Sequence, residues 1–288
     1  MLWTYTFVKS KLQLKDLSSK GEVEKLAKEV NWLWVDCLEP NDEELQIIAE
    51  LLQETKVIDM IKTQQILSQY ERINDHVLIP ALLVDFKGKL ETYPLYIFVN
   101  EKIFITVRNK NASRPINNTL RTLQDCVMKV KCDTSSSFVV SRLFHEITSE
   151  NLNTIMTLRS SIAEIEEKVL EKPADKKIDK AVFKLKREIA NLERVLWVQR
   201  ETMLAIQEGV VPTIQATEID RQTLNHTIRN TSRELSLLSA HNDALNSILS
   251  VRGLGMIHRV ETMIVCLTIL MLVVNVFLVL LELGMFHF

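Results

Sequence analysis

The sequence contains little glycine or proline: its 288 residues include six of each. Extended disordered stretches are usually rich in these residues, so their scarcity indicates a chain that is folded over most of its length. Neither positive nor negative charge dominates, since the sequence contains 35 basic and 37 acidic residues. A nucleic-acid binder usually carries a basic patch or stripe, so we expect no nucleic-acid partner.

Motifs of the common enzyme classes are absent as well. The chain has no HExxH, P-loop, GxSxG or GxGxxG motif, so we expect no enzymatic activity. Its four cysteines form no CxxC pair, which predicts free thiols in a reducing compartment. Its six histidines are scattered, and isolated histidines such as His145 are expected on the surface.

One long apolar run lies near the C-terminus. Residues 263–281 contain no charged side chain and reach the roughly 20-residue length that a membrane-spanning helix needs. Arg252, His258 and Arg259 precede the run, so the positive-inside rule places the N-terminal part in the cytosol. The sequence therefore predicts a single-pass protein of the plasma (inner) membrane. The alternative is the buried helix of a soluble protein.

Polar residues lie within this run and at both of its ends at a regular spacing. Glu261, Thr268, Asn275 and Glu282 follow one another at intervals of seven residues. Seven residues are nearly two helical turns, and a drift of about 20° per heptad keeps all four on one face. Polar groups are costly against lipid, so we expect this face to meet other helices or water. A ring of such helices would line a pore, and carboxylate rings favour cations.

Simpler roles for three of these residues stay open. Thr268 could bond to its own backbone, Glu282 could lie at the level of the lipid headgroups, and Asn275 alone could join two helices. The pore interpretation has a further requirement. Because one span is predicted per chain, several copies of the chain would have to assemble.

Hydrophobic periodicity divides the chain into four parts. A first part that alternates strand and helix signals predicts a cytosolic α/β domain. A second part with helical spacing predicts a stalk, which continues into the membrane helix and a short extracytoplasmic tail. The corresponding ranges are 1–135, 136–258, 259–283 and 284–288.

Local signals predict individual elements. Asn41 fits an N-cap, and Glu44 completes a capping-box pattern at the start of a helix. No proline occurs between about residue 216 and the apolar run, so one helix could extend over on the order of 100 Å, unless it folds back at Gly253. Strands, in a meander with helices around it, are predicted at 1–8, 33–37, 76–86, 93–99 and 102–107.

A set of segments is similar, in order and spacing, to one known family. These segments are Trp34-Val35-Asp36, 70–79, 98–107, 138–170 and 185–200. Together they resemble the CorA magnesium-transporter family, whose relatives include the ZntB zinc transporters. The resemblance implies a homopentameric funnel in the lipid bilayer, in which an α/β cytosolic domain and a long helical stalk continue into a pore-lining helix. It also implies divalent cations as the transported species.

Two departures from the family pattern stand out. In the family the pore helix ends in a Gly-Met-Asn motif, and a second membrane helix follows. Here Gly284, Met285 and Phe286 occupy the place of that motif, so phenylalanine stands where the family has asparagine, and the second helix is missing. Glu282, about one turn inside, could supply the hydrogen-bond acceptors that a hydrated cation needs.

The resemblance further implies a regulatory Mg²⁺ site between the sheet domain of one subunit and the stalk of the next. Asp85 matches the acidic residue of the sheet domain, whereas Gln222 and Asn225 stand where aspartates are common. Loss of these charges should weaken a hard-cation site, although Asp220 and Glu218 lie close and could substitute. The alternative is that Asp85 is an ordinary turn residue before Gly88.

The main expectation is passive conduction of Mg²⁺, or of a related divalent cation, past Thr268, Asn275 and Glu282. A non-conducting regulatory, scaffold or degenerate subunit is one alternative. A Zn²⁺ transporter of the ZntB type is another, and Co²⁺ also fits. Rings of threonine, asparagine and glutamate suit several hydrated cations, so the sequence does not select among them.

Overall fold

The computed structural model describes residues 2–8, 11–16, 19–30, 32–65, 69–128, 135–171, 175, 177–211 and 213–282. The chain forms two compact units. One consists of Met1–Leu158 and Glu188–Ser239, and the other of Arg159–Arg187 and Ala240–Phe288. They are called the sheet unit and the helical unit below.

A seven-stranded mixed sheet is the centre of the sheet unit. Its strands are β1 (Leu2–Val8), β2 (Lys11–Asp16), β3 (Leu33–Leu38), β4 (Glu71–Ile73), β5 (His76–Phe86), β6 (Leu90–Val99) and β7 (Ile103–Arg108). They lie in the order β2-β1-β3-β7-β6-β5-β4. The predicted meander corresponds to β5, β6 and β7, which pair antiparallel, and β4 adds an unpredicted antiparallel strand beside β5. The parallel pairing of β3 with β7 was not predicted.

Within the described residues, seven α-helices accompany the sheet. They are α1 (Lys20–Glu29), α2 (Asp42–Leu52), α3 (Lys56–Lys62), α4 (Ser113–Met128), α5 (Ser136–Glu171), α6 (Lys177–Gln207) and α7 (Glu218–Glu282). The predicted capping box at the start of α2 is confirmed. The Glu44 amide donates to Asn41 Oδ1 over 2.8 Å, and the Asn41 amide donates to Glu44 Oε2 over 2.9 Å.

Both faces of the sheet are buried, which explains why its central strands are apolar almost throughout. On one face, Val35, Phe98 and Ile105 pack with residues of α1 to α3 such as Val23 and Ile48. The other face packs against α4 and the long helices. Its cluster includes Trp34, Phe104, Ile116, Leu143, Met203 and Leu224. The prediction of an α/β domain followed by long helices is therefore confirmed.

Helix α7 spans 65 residues and runs through Gly253 without a break. The single long helix expected from the absence of proline is confirmed, and the alternative of a chain that folds back at Gly253 is not observed. Helices α5 and α6 are also long, with 36 and 31 residues. All three helices contribute to both compact units.

The helical unit buries apolar side chains from the three long helices, including Ile165, Val182 and Leu245. Polar contacts add to this packing. Arg252 of α7 forms an ion pair with Asp179 of α6, and Lys186 Nζ donates to Asn246 Oδ1 over 2.7 Å. These contacts hold the later part of α7 against α6 within this unit.

The cysteine prediction holds only in part. Cys37 and Cys266 are free, as expected. Cys126 is disulfide-bonded, so the prediction of free thiols is wrong for this residue. Burial raises the pKa of the Cys37 thiol to about 12, so this side chain stays protonated inside the sheet unit.

Candidate functional site

The apolar end of α7 is the first candidate for a functional site. Within the part of the chain that the structure describes, α7 is the one helix long and apolar enough to cross a membrane. Its apolar window is not buried against the rest of the chain. Large side chains all around the helix are exposed, among them Leu270, Met271 and Leu272. A helix that is apolar on every side needs lipid or other helices as its surroundings.

Two of the polar residues that share one face of the helix, Thr268 and Asn275, lie within this segment. Thr268 and Asn275 are exposed on the isolated chain, on nearly the same face because they are separated by seven residues. Thr268 Oγ1 donates to the Ile264 carbonyl over 2.8 Å, so the backbone bond anticipated for this hydroxyl is present. Among the described residues, the Asn275 amide has no hydrogen-bond partner. Its donors and acceptors therefore remain free for a second chain or for water.

The residues beyond Asn275 are described less fully. Glu282 is the last residue of α7, at the position that continues the seven-residue spacing. Gly284, Met285 and Phe286, which occupy the place of the Gly-Met-Asn motif, lie outside the described residues. The pore-mouth assignment of these three residues stays a prediction.

Asp85 lies near the end of β5, in the sheet unit. Its Oδ2 is 2.7 Å from Lys87 Nζ, and this hydrogen bond raises the pKa of the lysine. The carboxylate borders a groove of about 490 Å³ that is also lined by Arg114, Glu150 and Asn153. Asp85 is therefore paired with a lysine of the same turn. This pairing fits the alternative that Asp85 is an ordinary turn residue.

Asp220 is buried near the start of α7, and its carboxylate oxygens are engaged by the protein itself. Oδ2 accepts from Ser137 Oγ over 2.6 Å and from the Thr217 amide over 3.0 Å. The Asp220 amide in turn lies 3.3 Å from Thr217 Oγ1, which completes a capping box. This bonding gives Asp220 a structural role in starting the helix.

The described side chains contain no group of three or more histidine, cysteine, aspartate or glutamate residues that could hold a metal ion. Asp85 and Asp220 are accordingly not part of such a cluster within one chain. A regulatory site between subunits, as the resemblance implied, would need ligands from a second copy, and this assignment stays a prediction.

A buried ion pair in the sheet was not recognised as such from the sequence. Asp36 of β3 accepts from Arg108 Nη2 over 2.7 Å and from Thr106 Oγ1 over 2.7 Å, and both residues belong to β7. The Trp34 indole donates to the same Thr106 hydroxyl over 2.9 Å. A charged residue in the apolar strand Leu33–Leu38 was the available signal. The network joins the parallel strands and fixes their register.

Comparisons with known proteins agree with this architecture. The family model described as CorA-like Mg²⁺ transporter protein matches residues 29–276. A curated relative, the cobalt/magnesium transport protein CorA of Methanocaldococcus jannaschii, is 19% identical over 220 residues, which cover 76% of this chain and 68% of the relative.

Two solved structures share the fold. The complete structure of the M. jannaschii CorA magnesium transporter matches with a TM-score of 0.80 and 17% identity, over 100% of this chain and 87% of the other. The ZntB cytoplasmic domain of Vibrio parahaemolyticus matches with a TM-score of 0.64 and 9% identity, over 89% of this chain and 98% of the other. Since the family model covers most of the sequence, the chain belongs to the family of CorA-like Mg²⁺ transporter proteins.

Proposed function

We propose that this protein conducts a divalent cation passively across a membrane, through a pore that several copies of α7 enclose. The observation that carries the proposal is the Asn275 amide, which lies in the apolar segment of α7 and has no hydrogen-bond partner among the described residues. An unpaired amide facing lipid is costly. Assembly of several copies around water gives the amide hydrogen-bond partners. It also places the Asn275 amides and the Thr268 hydroxyls of all copies around one water-filled path.

The cation is most simply Mg²⁺. The family model names Mg²⁺ as the transported ion, and the curated relative carries cobalt and magnesium in its name. Mg²⁺ gives up its water shell reluctantly, so a pore for it must accept hydrogen bonds from bound waters. Phe286 offers no oxygen for this purpose. We therefore assign the acceptor role to the carboxylate of Glu282, supported by Asn275 and Thr268.

The membrane potential supplies the driving force in this proposal. An ion of charge two gains about 4.6 kcal/mol per 100 mV, twice the value for a single charge. The sequence contains no P-loop that would bind ATP. The basic residues Arg252 and Arg259 before the apolar segment support a cytosolic N-terminal part.

The assembly we propose is a homopentamer in the plasma (inner) membrane, in which the long helices form a funnel-shaped stalk. Mg²⁺ bound between subunits near Asp85 would regulate it. Native mass spectrometry of the detergent-purified chain should give five copies. A monomer would leave the polar face of α7 without partners and would contradict the pore.

Glu282→Ala tests the pathway directly. We expect Mg²⁺ uptake into vesicles that contain the purified protein to fall about tenfold, which corresponds to roughly 1.4 kcal/mol of lost interaction. Glu282→Asp, which keeps the charge, should retain most of the uptake. Val273→Ala, a change within the same helix on the side opposite Asn275, is the matched control. Unchanged uptake in Glu282→Ala would refute the assigned ion route.

One observation favours a second candidate function. Phe286 replaces the asparagine of the family motif, so the chain could serve as a non-conducting regulatory or scaffold subunit. A stable pentamer without any cation flux would support this role. Transport of Zn²⁺ in the ZntB manner is separated from both by competition, since excess Zn²⁺ would then inhibit Mg²⁺ uptake and accumulate in the vesicles itself.

A further inference from the structure

Two histidines from different long helices meet in the sheet unit. The rings of His145 on α5 and His226 on α7 have centroids 5.9 Å apart and planes inclined by 52°. His145 is half-buried, whereas His226 is exposed. The expectation that His145 is an isolated surface histidine holds only in part, because its ring is half-buried and tertiary packing gives it a partner distant in sequence.

The spacing of the rings suits a shared metal ion. A transition-metal ion bound by imidazole nitrogens at about 2.0–2.1 Å in tetrahedral geometry places two ring centres roughly 5 Å apart. The observed 5.9 Å is about 1 Å longer than this estimate. A shared ion would therefore draw the exposed His226 ring about 1 Å closer to His145.

The surroundings of His145 favour its unprotonated ring, which is the form that binds a metal ion. Burial lowers the pKa of His145, and the nearby Arg142 and His226 lower it further, against an opposing contribution from Glu146. The neutral ring keeps a lone pair for a metal ion at neutral pH. Glu146 itself accepts a hydrogen bond from Asn118 over 2.9 Å, so its carboxylate is held by α4.

Asn230 provides an orienting contact to the second ring. Its amide nitrogen lies 3.3 Å from His226 Nδ1. Rotation of the amide by half a turn presents Oδ1 to a protonated Nδ1, which leaves Nε2 as the ligand atom. Metal-bound histidines almost always have such a hydrogen-bond partner on the other ring nitrogen, and the partner fixes the orientation of the ring.

We propose that His145 and His226 form a binding site for a borderline transition-metal ion such as Zn²⁺ or Ni²⁺, which links α5 to α7. Water molecules complete the coordination. Imidazole suits these ions, whereas Mg²⁺ prefers oxygen ligands, so the site is chemically distinct from the oxygen-bearing face of the apolar segment. The linked helix α7 is the same helix that carries Thr268 and Asn275.

Calorimetric titration of the detergent-purified full chain with Zn²⁺ tests this site, with millimolar Mg²⁺ present to fill sites that prefer oxygen ligands. We expect His145→Ala and His226→Ala each to weaken Zn²⁺ binding by on the order of tenfold or more. Asn230→Ala should have a smaller effect in the same direction. His258→Ala removes an exposed histidine outside the pair and serves as the matched control, with unchanged affinity.

X-ray absorption of the Zn²⁺-loaded protein gives a second readout that does not depend on transport. Two histidine ligands are expected in the wild type, and fewer in either variant. Equal Zn²⁺ affinity in the wild type and in both histidine variants would overturn the proposal. Loss of binding in His258→Ala alone would do the same. Because His226 is exposed, its substitution should leave the fold intact, which keeps the test decisive if His145→Ala is unstable.

Discussion

Polar side chains are treated in opposite ways in the sheet and in the apolar segment of α7. Asp36 and Arg108 are almost completely buried in the sheet, and their side chains bond to each other. Asn275 lies on an apolar helix and has no hydrogen-bond partner within the described residues. Both regions place a polar group among apolar side chains, but only the sheet satisfies it within one chain.

This difference distinguishes a structural role from an assembly role. A buried ion pair completed inside the chain fixes strand register and needs nothing from outside. A polar group left unsatisfied on a helix that is apolar all round requires a second chain or a water-filled path. The comparison therefore supports a stabilising role for Asp36 and a role for Asn275 that appears only on assembly.

Thiol labelling in the apolar segment should give the largest effect. Asn275→Cys in a Cys266→Ser background places a single thiol of this segment on the polar face. We expect a charged, water-soluble thiol reagent to modify it and to block most of the Mg²⁺ uptake, because the group would stand in the ion path. The measurement is uptake into vesicles before and after treatment.

Val273→Cys in the same background is the matched control for labelling. Residue 273 lies on the side of the helix opposite Asn275, at nearly the same depth, because two residues turn the helix by about 200°. We expect neither modification nor block there. If the thiol at 273 reacted while the one at 275 did not, the polar face would point towards lipid and the comparison would be reversed.

The buried ion pair should give the next largest effect. Asp36→Ala leaves the Arg108 guanidinium buried and unpaired, and this kind of change typically costs about 3–5 kcal/mol. We expect the free energy of unfolding of the sheet unit, measured in the full chain by chemical denaturation, to fall by this order. Uptake by the folded fraction should be unaffected.

The double variant Asp36→Leu with Arg108→Met separates the charge effect from simple disruption. Replacement of both partners by apolar residues is often neutral, so most of the lost stability should return. Asp42→Ala, which removes an exposed partner of Lys62, should change stability little. A loss as large in the double variant as in Asp36→Ala would show that the strands tolerate no change here, whatever the charge.

Local sequence patterns were sufficient to predict much of the fold. Helical periodicity and the absence of proline predicted α7, and the side-chain chemistry of Asn41 and Glu44 predicted the start of α2. The edge strands β2 and β4 and the helices α1, α3 and α4 were missed. Apart from α4 these elements are short, and the apolar residues of all five are few or widely spaced. Pairing of β3 with β7 depends on residues far apart in sequence, which a local pattern does not encode.

The candidate site divides in the same manner. A seven-residue spacing along one helix is visible in the sequence, so Thr268, Asn275 and Glu282 could be grouped before the structure was known. The contact of His145 with His226 and that of Asp36 with Arg108 join distant segments. These contacts exist only after packing, and no spacing rule could have indicated them.

Glu234 of α7 combines a feature of each region, because it is buried like Asp36 and, in the described part of the chain, lacks a hydrogen-bond partner like Asn275. Of the three predicted effects, the effect of substituting Glu234 should be the smallest. The residue is buried in the sheet unit, and its Oε2 has no hydrogen-bond partner among the described residues. Burial raises its pKa from 4.5 to about 8, so the folded chain favours the neutral acid. The folded state then binds more protons than the unfolded state between these two values, and stability must fall as pH rises through this range.

Each pH unit within this range corresponds to about 1.4 kcal/mol, so Glu234 should cost on the order of 3 kcal/mol of stability between pH 5 and pH 7. Glu234→Gln removes the ionisation and should flatten the pH dependence of the unfolding midpoint, with the largest gain at the alkaline end. Glu201→Gln, at an exposed position of α6, is the control and should leave the pH profile unchanged. A Glu234→Gln profile that matched the wild type would mean that the carboxylate finds water or a partner from another chain in the assembled protein. Glu234 would then belong with Asn275, as a group that is satisfied only on assembly.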